Sequence, residues 1–137
     1  MRNSQGRGLT RDDVTEWLEG YKAAWETRDA DKVVALFTED ATYQELPCAA
    51  PLEGRQGIRD YWTEATGGQQ DVDFSYQVLS VSGNTGIAHW RTNFTRIPSG
   101  SRALVDGIFV LEFTPNGLCE SLKEWWHVQE QPIGEEQ

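Results

Sequence analysis

Residues 28–47 read RDADKVVALFTEDATYQELP, and this stretch decides how the chain folds. Apolar residues recur at helical spacing in its first half and predict a short helix over residues 30–37. The period changes at residues 39–40, after which large residues alternate with small or polar ones, as in a strand. Tyr43 and Glu45 are two positions apart and should therefore point to the same side of that strand. If that side faces inward, Glu45 is a buried acid.

The length of the chain predicts a single domain. With 137 residues, of which 38% are hydrophobic, the chain can bury one core of ordinary size. Polar residues and glycine dominate both ends, so we expect disordered tails at residues 1–9 and 131–137 and one domain at residues 10–130. The sequence has no apolar run that could span a bilayer and no secretory signal at its N-terminus. We therefore expect a soluble, cytoplasmic protein.

The charge of the chain argues against several classes of partner. Twelve Lys and Arg residues against 22 Asp and Glu residues give a formal net charge of -10, which repels nucleic acid and anionic membranes. Cys48 and Cys119 form no CxxC motif, and His89 and His127 lack the spacing of a zinc site. We expect no metal and no cofactor.

Around the opening stretch, the sequence predicts helices first and strands afterwards. Thr10 is a candidate N-cap, and with Asp13 it forms a capping box for a helix that reaches about residue 27. A third helix precedes the glycines at 67–68. The rest of the chain is rich in β-branched and aromatic residues, and short turn signals divide it into four strands. Their predicted ranges are residues 72–81, 85–97, 102–113 and 118–129.

Four motifs together resemble one family: ETRDADKVVALFTEDATYQELP, EGRQGIRDYW, GIAHWRTNFT and VLEFTPNGLCESLKEWWHVQ. Their order and spacing are similar to those of the nuclear transport factor 2-like superfamily, in its SnoaL-like and ketosteroid-isomerase-like branches. The resemblance implies an α+β fold: a cone-shaped single domain with three N-terminal helices packed on a curved antiparallel sheet with a mixed edge. The superfamily contains isomerases, cyclases, dehydratases and binding proteins, so the fold alone does not assign an activity.

Ketosteroid isomerase is the closest chemical template that the resemblance offers. It implies that Glu45 is the catalytic base and that Tyr21, on the first helix, is a hydrogen-bond donor to the substrate. The template has a second acidic donor where this chain has Phe109. The departure removes half of the oxyanion site, so steroid isomerisation itself is in doubt.

Glu124 on the last strand is a second candidate acid. The resemblance places it on the concave face together with Leu122 and Trp126. Beside Glu45 in an apolar cavity, its pKa would rise and one carboxyl could act as acid while the other acts as base. The alternative is an exposed and inert residue at the rim.

The resemblance also implies that Trp90, Thr92, Phe94 and Phe109 look inward, on a concave face that lines an open cavity in this fold. The aromatic residues around that face predict a pocket for a small apolar or aromatic molecule. A well-filled core is the alternative interpretation. The predicted pocket residues are Trp17, Trp25, Tyr43, Trp62, Trp90, Thr92, Phe94, Phe109, Leu122 and Trp126.

Residues of the opposite parity predict an interface. Arg91, Asn93 and Trp125 would lie on the outer sheet face, where family members commonly pair, so we expect a homodimer. We find no inward arginine, since Arg91 has the outward parity, and the arrangement of the epoxide-hydrolase branch therefore fits less well.

The sequence predicts cofactor-independent acid–base catalysis, such as isomerisation, cyclisation or dehydration, on a small apolar or aromatic substrate. A non-catalytic binding or accessory module, also dimeric, is the alternative. Neither alternative identifies the substrate.

Overall fold

The computed structural model describes residues 8–131, which form three helices and six strands. In chain order these are α1 (Arg11–Glu26), α2 (Ala30–Val34), β1 (Phe37–Gln44), β2 (Leu52–Glu53), α3 (Gly54–Gly67), β3 (Gln69–Ser82), β4 (Thr85–Arg96), β5 (Arg102–Phe113) and β6 (Cys119–Gln131). The predicted α+β class and the four long strands at the C-terminal end are confirmed. The predicted tails lie largely outside the described residues.

The start of α1 follows the capping signal in the sequence. The Asp13 main-chain N–H donates to the Thr10 hydroxyl at 3.1 Å, and the Thr10 main-chain N–H donates to the Asp13 carboxylate at 3.0 Å. Two of the N–H groups that a helix start leaves unpaired are thereby satisfied. The predicted capping box is confirmed.

The second helix is shorter than predicted. We expected it to reach Phe37, but α2 ends at Val34 and Phe37 already begins β1. The reason is that the Leu36 carbonyl accepts from the Cys119 main-chain N–H at 2.9 Å and from the Trp17 indole N–H at 2.9 Å. The Leu36 carbonyl is thus occupied by hydrogen bonds from β6 and α1, and it is not free to accept the N–H of a further helical turn.

The six strands form one mixed sheet in the order β2-β1-β6-β5-β4-β3. Every neighbouring pair is antiparallel except β1 and β6, which run parallel. β3 to β6 are joined in sequence, which is the predicted meander. The parallel pairing places the end of β1 beside the middle of β6, and this relationship positions the site described below.

The helices cover one face of the sheet, and the core lies between them. α1 buries Val14, Trp17, Leu18, Tyr21 and Ala24. Its first turn approaches β4 closely, since a side-chain carbon added at Gly86 would meet Val14 at 2.9 Å. The opposite face of the long strands has no helix over it within residues 8–131. In that range no helix combines the length and apolarity needed to cross a membrane.

Candidate functional site

A cavity of about 250 Å³ opens between the helices and the inner face of the sheet. It lies toward the C-terminal ends of α1, β4 and β6. Seven aromatic side chains dominate its wall, and the polar groups are few. The lining residues are Trp25, Tyr43, Glu45, Tyr61, Trp62, Ala65, Thr66, Gln69, Trp90, Phe94, Arg96, Val105, Glu124, Trp126 and Val128.

Glu124 is the most buried acid of the wall. β6 carries it opposite Phe109 of β5, and only 5% of the residue is exposed. Burial and the nearby charge of Glu45 raise its pKa well above the ordinary value of 4.5, and a hydrogen bond from Tyr43 lowers it in part. The structure therefore places Glu124 in the cavity wall and not at an exposed rim. Such a carboxyl retains its proton at pH values where a surface glutamate is charged.

Glu45 lies next to Glu124 but in a wetter environment. It directly follows β1. Gln44 at the end of β1 pairs with Lys123 on the parallel strand β6, so the residues that come next, Glu45 and Glu124, lie side by side. The residue is half-buried, and this partial burial raises its pKa, opposed by a hydrogen bond with the Tyr61 hydroxyl. Glu45 is therefore a partly exposed acid, less enclosed than its strand parity suggested.

A pair of tyrosine hydroxyls connects the core to this acidic wall. The Tyr21 and Tyr43 hydroxyl oxygens are 2.8 Å apart, and both residues are buried. Tyr43 lines the cavity, whereas Tyr21 lies behind it. Burial raises the pKa of both phenols well above 10.0, so they stay protonated. The structure thus separates Tyr21 from the cavity by one hydroxyl group.

The predicted pocket residues divide into two groups. The cavity wall includes Trp25, Tyr43, Trp62, Trp90, Phe94 and Trp126. Trp17, Thr92, Phe109 and Leu122 lie in the packed core and are not among the residues that line this cavity. All ten residues are largely screened from solvent. Strand parity predicts which side chains face the helices, but not which of them line the cavity and which lie in the packed core.

Arg96 is a site residue that our sequence reasoning missed. It has the same parity as Trp90 and Phe94 on β4, and it lines the cavity mouth. Its guanidinium lies 5.3 Å from the centroid of the Phe94 ring and pairs with Glu130 at 2.7 Å. Our conclusion that no arginine has the inward parity is therefore wrong. Following the alternation two residues beyond Phe94 would have found it.

Tyr61 and Gln69 were also missed. Tyr61 lies one residue before Trp62 on α3, and its hydroxyl interacts with Glu45. Gln69, the first residue of β3, accepts from the Trp25 indole N–H at 2.8 Å. Neither had a sequence signal, since contacts across the cavity depend on how α3 lies over the sheet.

Two larger hollows lie outside this site. One, of about 590 Å³, lies at the turn between α1 and α2, where Arg59 already pairs with Asp31. The other, of about 440 Å³, lies beside Asn93 and Arg102, which are hydrogen-bonded to each other. No group of three or more potential metal ligands occurs in the part of the chain that the structure describes. Of these three hollows, only the smaller cavity has a buried carboxyl group, that of Glu124, in its wall.

The outer face of the sheet lies opposite the cavity. Asp106 accepts from Arg91 and interacts with His89, both at 2.7 Å, and these contacts lower the pKa of its carboxyl. Trp125 on the neighbouring strand is 45% exposed. This face combines an ionic network with an exposed indole.

The fold and the acid-lined cavity define a small cone-shaped α+β domain of the nuclear transport factor 2-like kind. The sequence model of the SnoaL-like domain matches residues 14–121, well over half of the chain. The protein therefore belongs to the SnoaL-like domain family, as the sequence motifs indicated.

The solved structures that are similar to this one include a candidate isomerase and a cyclase-like enzyme. A candidate isomerase from Bacillus subtilis superposes with a TM-score of 0.75 at 22% identity, covering 85% of this chain and 87% of its own. The epoxide hydrolase/cyclase-like enzyme SalBIII, described in pyran ring formation in the polyether salinomycin, gives a TM-score of 0.72 at 22% identity. That match covers 93% of this chain and 98% of SalBIII. At this identity the similarity shows a shared fold.

Proposed function

We propose that this domain is a cofactor-independent acid–base catalyst of the isomerase, cyclase or lyase type, acting on a small, largely apolar ring compound. One observation carries the proposal. Glu45 and Glu124 lie side by side in the wall of one aromatic cavity, yet they differ in burial. Two carboxyls in unequal environments divide naturally into an acid and a base.

Glu124 is the acid in this proposal. Its burial keeps it protonated, so it can donate to a substrate oxygen as negative charge develops there. Tyr43 lies within hydrogen-bonding range of this carboxyl, and Tyr21 holds the Tyr43 hydroxyl from behind. Tyr21 is therefore a positioning residue that acts through Tyr43. This role replaces the direct contact with substrate that the family resemblance implied.

Glu45 is the base in this proposal. It is the more exposed of the two acids, and the charged form is accordingly less disfavoured. The Tyr61 hydroxyl interacts with its carboxylate, and the Trp126 indole N–H donates to its main-chain carbonyl at 2.9 Å. These contacts fix the carboxylate at the cavity wall.

A β,γ-unsaturated ketone illustrates the chemistry. Glu45 removes a proton from the carbon between the carbonyl and the alkene, while Glu124 donates its proton to the carbonyl oxygen, giving a dienol. Glu45 then returns its proton to the far alkene carbon, and the hydroxyl proton returns to Glu124. The net result is a conjugated ketone with both carboxyls restored, so no cofactor enters the balance. The isomerase and cyclase descriptions of the two similar structures support this class of reaction.

Conversion of cyclohex-3-enone to its conjugated isomer tests the proposal by ultraviolet absorbance. We expect Glu45→Gln and Glu124→Gln each to lower the rate by about a hundredfold or more. Glu120→Gln is the matched control, because Glu120 lies on the same strand but is exposed. If the parent protein binds cyclic ketones but converts none of them, the catalytic proposal is wrong. The chain is then a binding or accessory module.

A further inference from the structure

Gln69 contributes a buried side-chain amide to the cavity wall. It is the first residue of β3, it lines the cavity, and 8% of the residue is exposed. Its side-chain oxygen accepts from the Trp25 indole N–H at 2.8 Å. An indole nitrogen can donate but cannot accept, so this contact identifies the oxygen of the amide. The amide nitrogen, with its two N–H groups, is therefore the other branch of the side chain.

The amide nitrogen of Gln69 has no hydrogen-bond acceptor within residues 8–131. It is nevertheless not sealed inside the protein. The unpaired side-chain atoms that are fully enclosed are the indole nitrogens of Trp62 and Trp90 and the hydroxyl oxygen of Thr92, and the Gln69 nitrogen is not among them. Buried polar side-chain atoms nearly always have a partner, so an accessible one without a partner is available to a bound molecule.

The end of the Gln69 side chain is anchored on the cavity side of the residue. Gln69 separates the cavity from the hollow at the turn between α1 and α2, since it lines both. Its main-chain carbonyl accepts at 2.7 Å from Arg28, a residue of the hollow. Its side-chain oxygen is held by Trp25, a residue of the cavity. These two contacts fix the amide in place, so little side-chain freedom is lost when it binds a ligand.

Gln69 and the two acids lie at opposite sides of the cavity. Glu45 follows β1 and Glu124 is on β6, and these two strands are neighbours. β3, which carries Gln69, is the edge strand on the other side of the sheet. A ring compound whose ketone reaches Glu124 therefore extends its far end toward Gln69.

We propose that the Gln69 amide donates to an acceptor oxygen at this far end, and that the ligand is a neutral ring ketone with a second oxygen in the part of the molecule away from the ketone. This inference rests on the proposed function in placing the ketone at Glu124. It adds the substrate class, since a ring ketone without a second oxygen would leave the Gln69 N–H groups unpaired. A second carbonyl, a hydroxyl or an ether oxygen meets the requirement.

The charges at this end of the cavity favour a neutral oxygen over a carboxylate. Arg96 pairs with Gln69 across β4 and β3 and also lines the cavity. Its guanidinium is already held by Glu130 through contacts of 3.0 and 2.7 Å. A carboxylate would have to displace Glu130 and enter a protein of net charge -10, whereas a neutral oxygen needs only the amide.

The test compares trans-decalin-1,6-dione with 6-methylidene-trans-decalin-1-one. Both have the same two rings and the same ketone at carbon 1, but a CH2 group replaces the second oxygen in the methylidene compound. Each is titrated into the wild-type protein and followed through the side-chain amide signals of its proton–nitrogen NMR spectrum. We expect the dione to move a Gln69 side-chain N–H signal downfield relative to the methylidene compound. The wild-type spectra decide this point even if a variant folds poorly.

Affinities of two leucine variants provide the second measurement. The ratio of the dissociation constants of the methylidene compound and the dione measures the preference for the second oxygen, and it cancels changes that affect both ligands alike. We expect Gln69→Leu to reduce this preference by about three- to tenfold. Gln70→Leu is the matched control, because Gln70 is the next residue of the same strand but is exposed, and its ratio should stay at the wild-type value.

Equal affinity of the wild type for the two ligands, with the Gln69 amide signals at the same positions in both complexes, would overturn the inference. A preference for the dione that survives Gln69→Leu would overturn it too, since another donor would then bind the second oxygen. Failure of both ligands to bind would have the same consequence. Tighter binding of the analogue with a carboxylate at carbon 6 would contradict the neutral ligand, because Arg96 would then have exchanged Glu130 for the ligand.

The readout is binding, so it is independent of turnover. An inert protein that passes this test disproves only the catalytic proposal. An active protein that fails it disproves only this inference.

Discussion

Phe109 and Glu124 occupy directly opposite positions on β5 and β6. The family resemblance places a second acidic donor at Phe109, and this chain has a buried acid on the adjacent strand instead. Phe109 fills the space behind, with its ring stacked on Trp90 at a centroid distance of 5.1 Å. The aromatic residue thus supports the cavity wall while Glu124 provides the carboxyl.

Tyr43→Phe should lower the free energy of unfolding and also raise the pKa of Glu124. The Tyr21 hydroxyl would lose its partner inside the core, which costs about 1–3 kcal/mol of unfolding free energy. The pKa of Glu124 should rise further, because the Tyr43 hydrogen bond lowers it. Denaturant unfolding and a carboxyl NMR titration measure the two effects.

A double-mutant cycle measures the interaction energy between the Tyr21 and Tyr43 hydroxyls. Tyr21→Phe and Tyr43→Phe combined should cost less than the sum of the two single changes, since no hydroxyl then remains unpaired in that contact. Strictly additive losses would mean that the two hydroxyls do not interact.

The contrast between core and cavity shows what strand parity can predict. Alternation along β4 correctly assigned Trp90, Thr92 and Phe94 to the inner face, and all three are buried. Only Trp90 and Phe94 reach the cavity. The position of α1 and α3 along the sheet decides where the cone is filled, and that packing depends on contacts distant in sequence.

The placement of Glu45 has a similar physical origin. The sequence indicated the strand and the inward face of Tyr43, but the local pattern contains no signal for the parallel pairing of β1 with β6. That pairing shortens the preceding helix and brings Glu45 beside Glu124. The capping box at Thr10, by contrast, depends on residues three apart and was readable directly.

Gly107→Ala should displace the Trp90 ring in the cavity wall and destabilise the protein. An added carbon would lie 2.8 Å from the Trp90 indole and 2.7 Å from the Trp125 carbonyl oxygen, so the rings above it must move. Crowding of this kind typically costs about 1–3 kcal/mol of stability. Thermal unfolding checks the loss, and the Trp90 indole NMR signal checks the displacement.

Gly67→Ala is the matched control for this substitution. Gly67 ends α3, and an added carbon would meet nothing within 4 Å. We expect no loss of stability there. If both alanine variants unfold like the wild type, close packing at Gly107 does not shape the cavity.

The outer sheet face should pair two copies of the chain. Trp125→Glu would place a charge in that interface and convert a dimer to a monomer, as sedimentation velocity would show. Arg91 and Asn93 belong to the same face and should be shielded from solvent in the dimer. Leu46→Glu is the control, since Leu46 is 42% exposed but lies in the loop after β1. A wild-type protein that sediments as a monomer at micromolar concentration contradicts this prediction.

Glu124→Gln should make the protein more stable at neutral pH. The folded protein raises the pKa of Glu124, so the folded state holds the proton more tightly than the unfolded chain does. The contribution of Glu124 to folding stability is fully present below the pKa of the unfolded chain, near 4.5. It is lost as the pH rises toward the higher pKa of the folded state. Glutamine has no proton to lose, so the variant avoids that loss. Urea unfolding of the wild type and of Glu124→Gln should give equal free energies of unfolding near pH 4. As the pH rises from there to neutral, the free energy of unfolding of the variant should increasingly exceed that of the wild type.

Glu130→Gln should show the opposite dependence and serves as the control. The Arg96 pair lowers the pKa of Glu130, so its contribution is present above the ordinary value of 4.5 and is lost as the pH falls through the folded pKa. The pair is exposed, and we therefore expect a loss of at most about 1 kcal/mol at neutral pH that disappears in acid. If Glu124→Gln instead follows the wild-type curve at every pH, Glu124 titrates as a surface acid. The assignment of Glu124 as the protonated partner of Glu45 would then have to be abandoned.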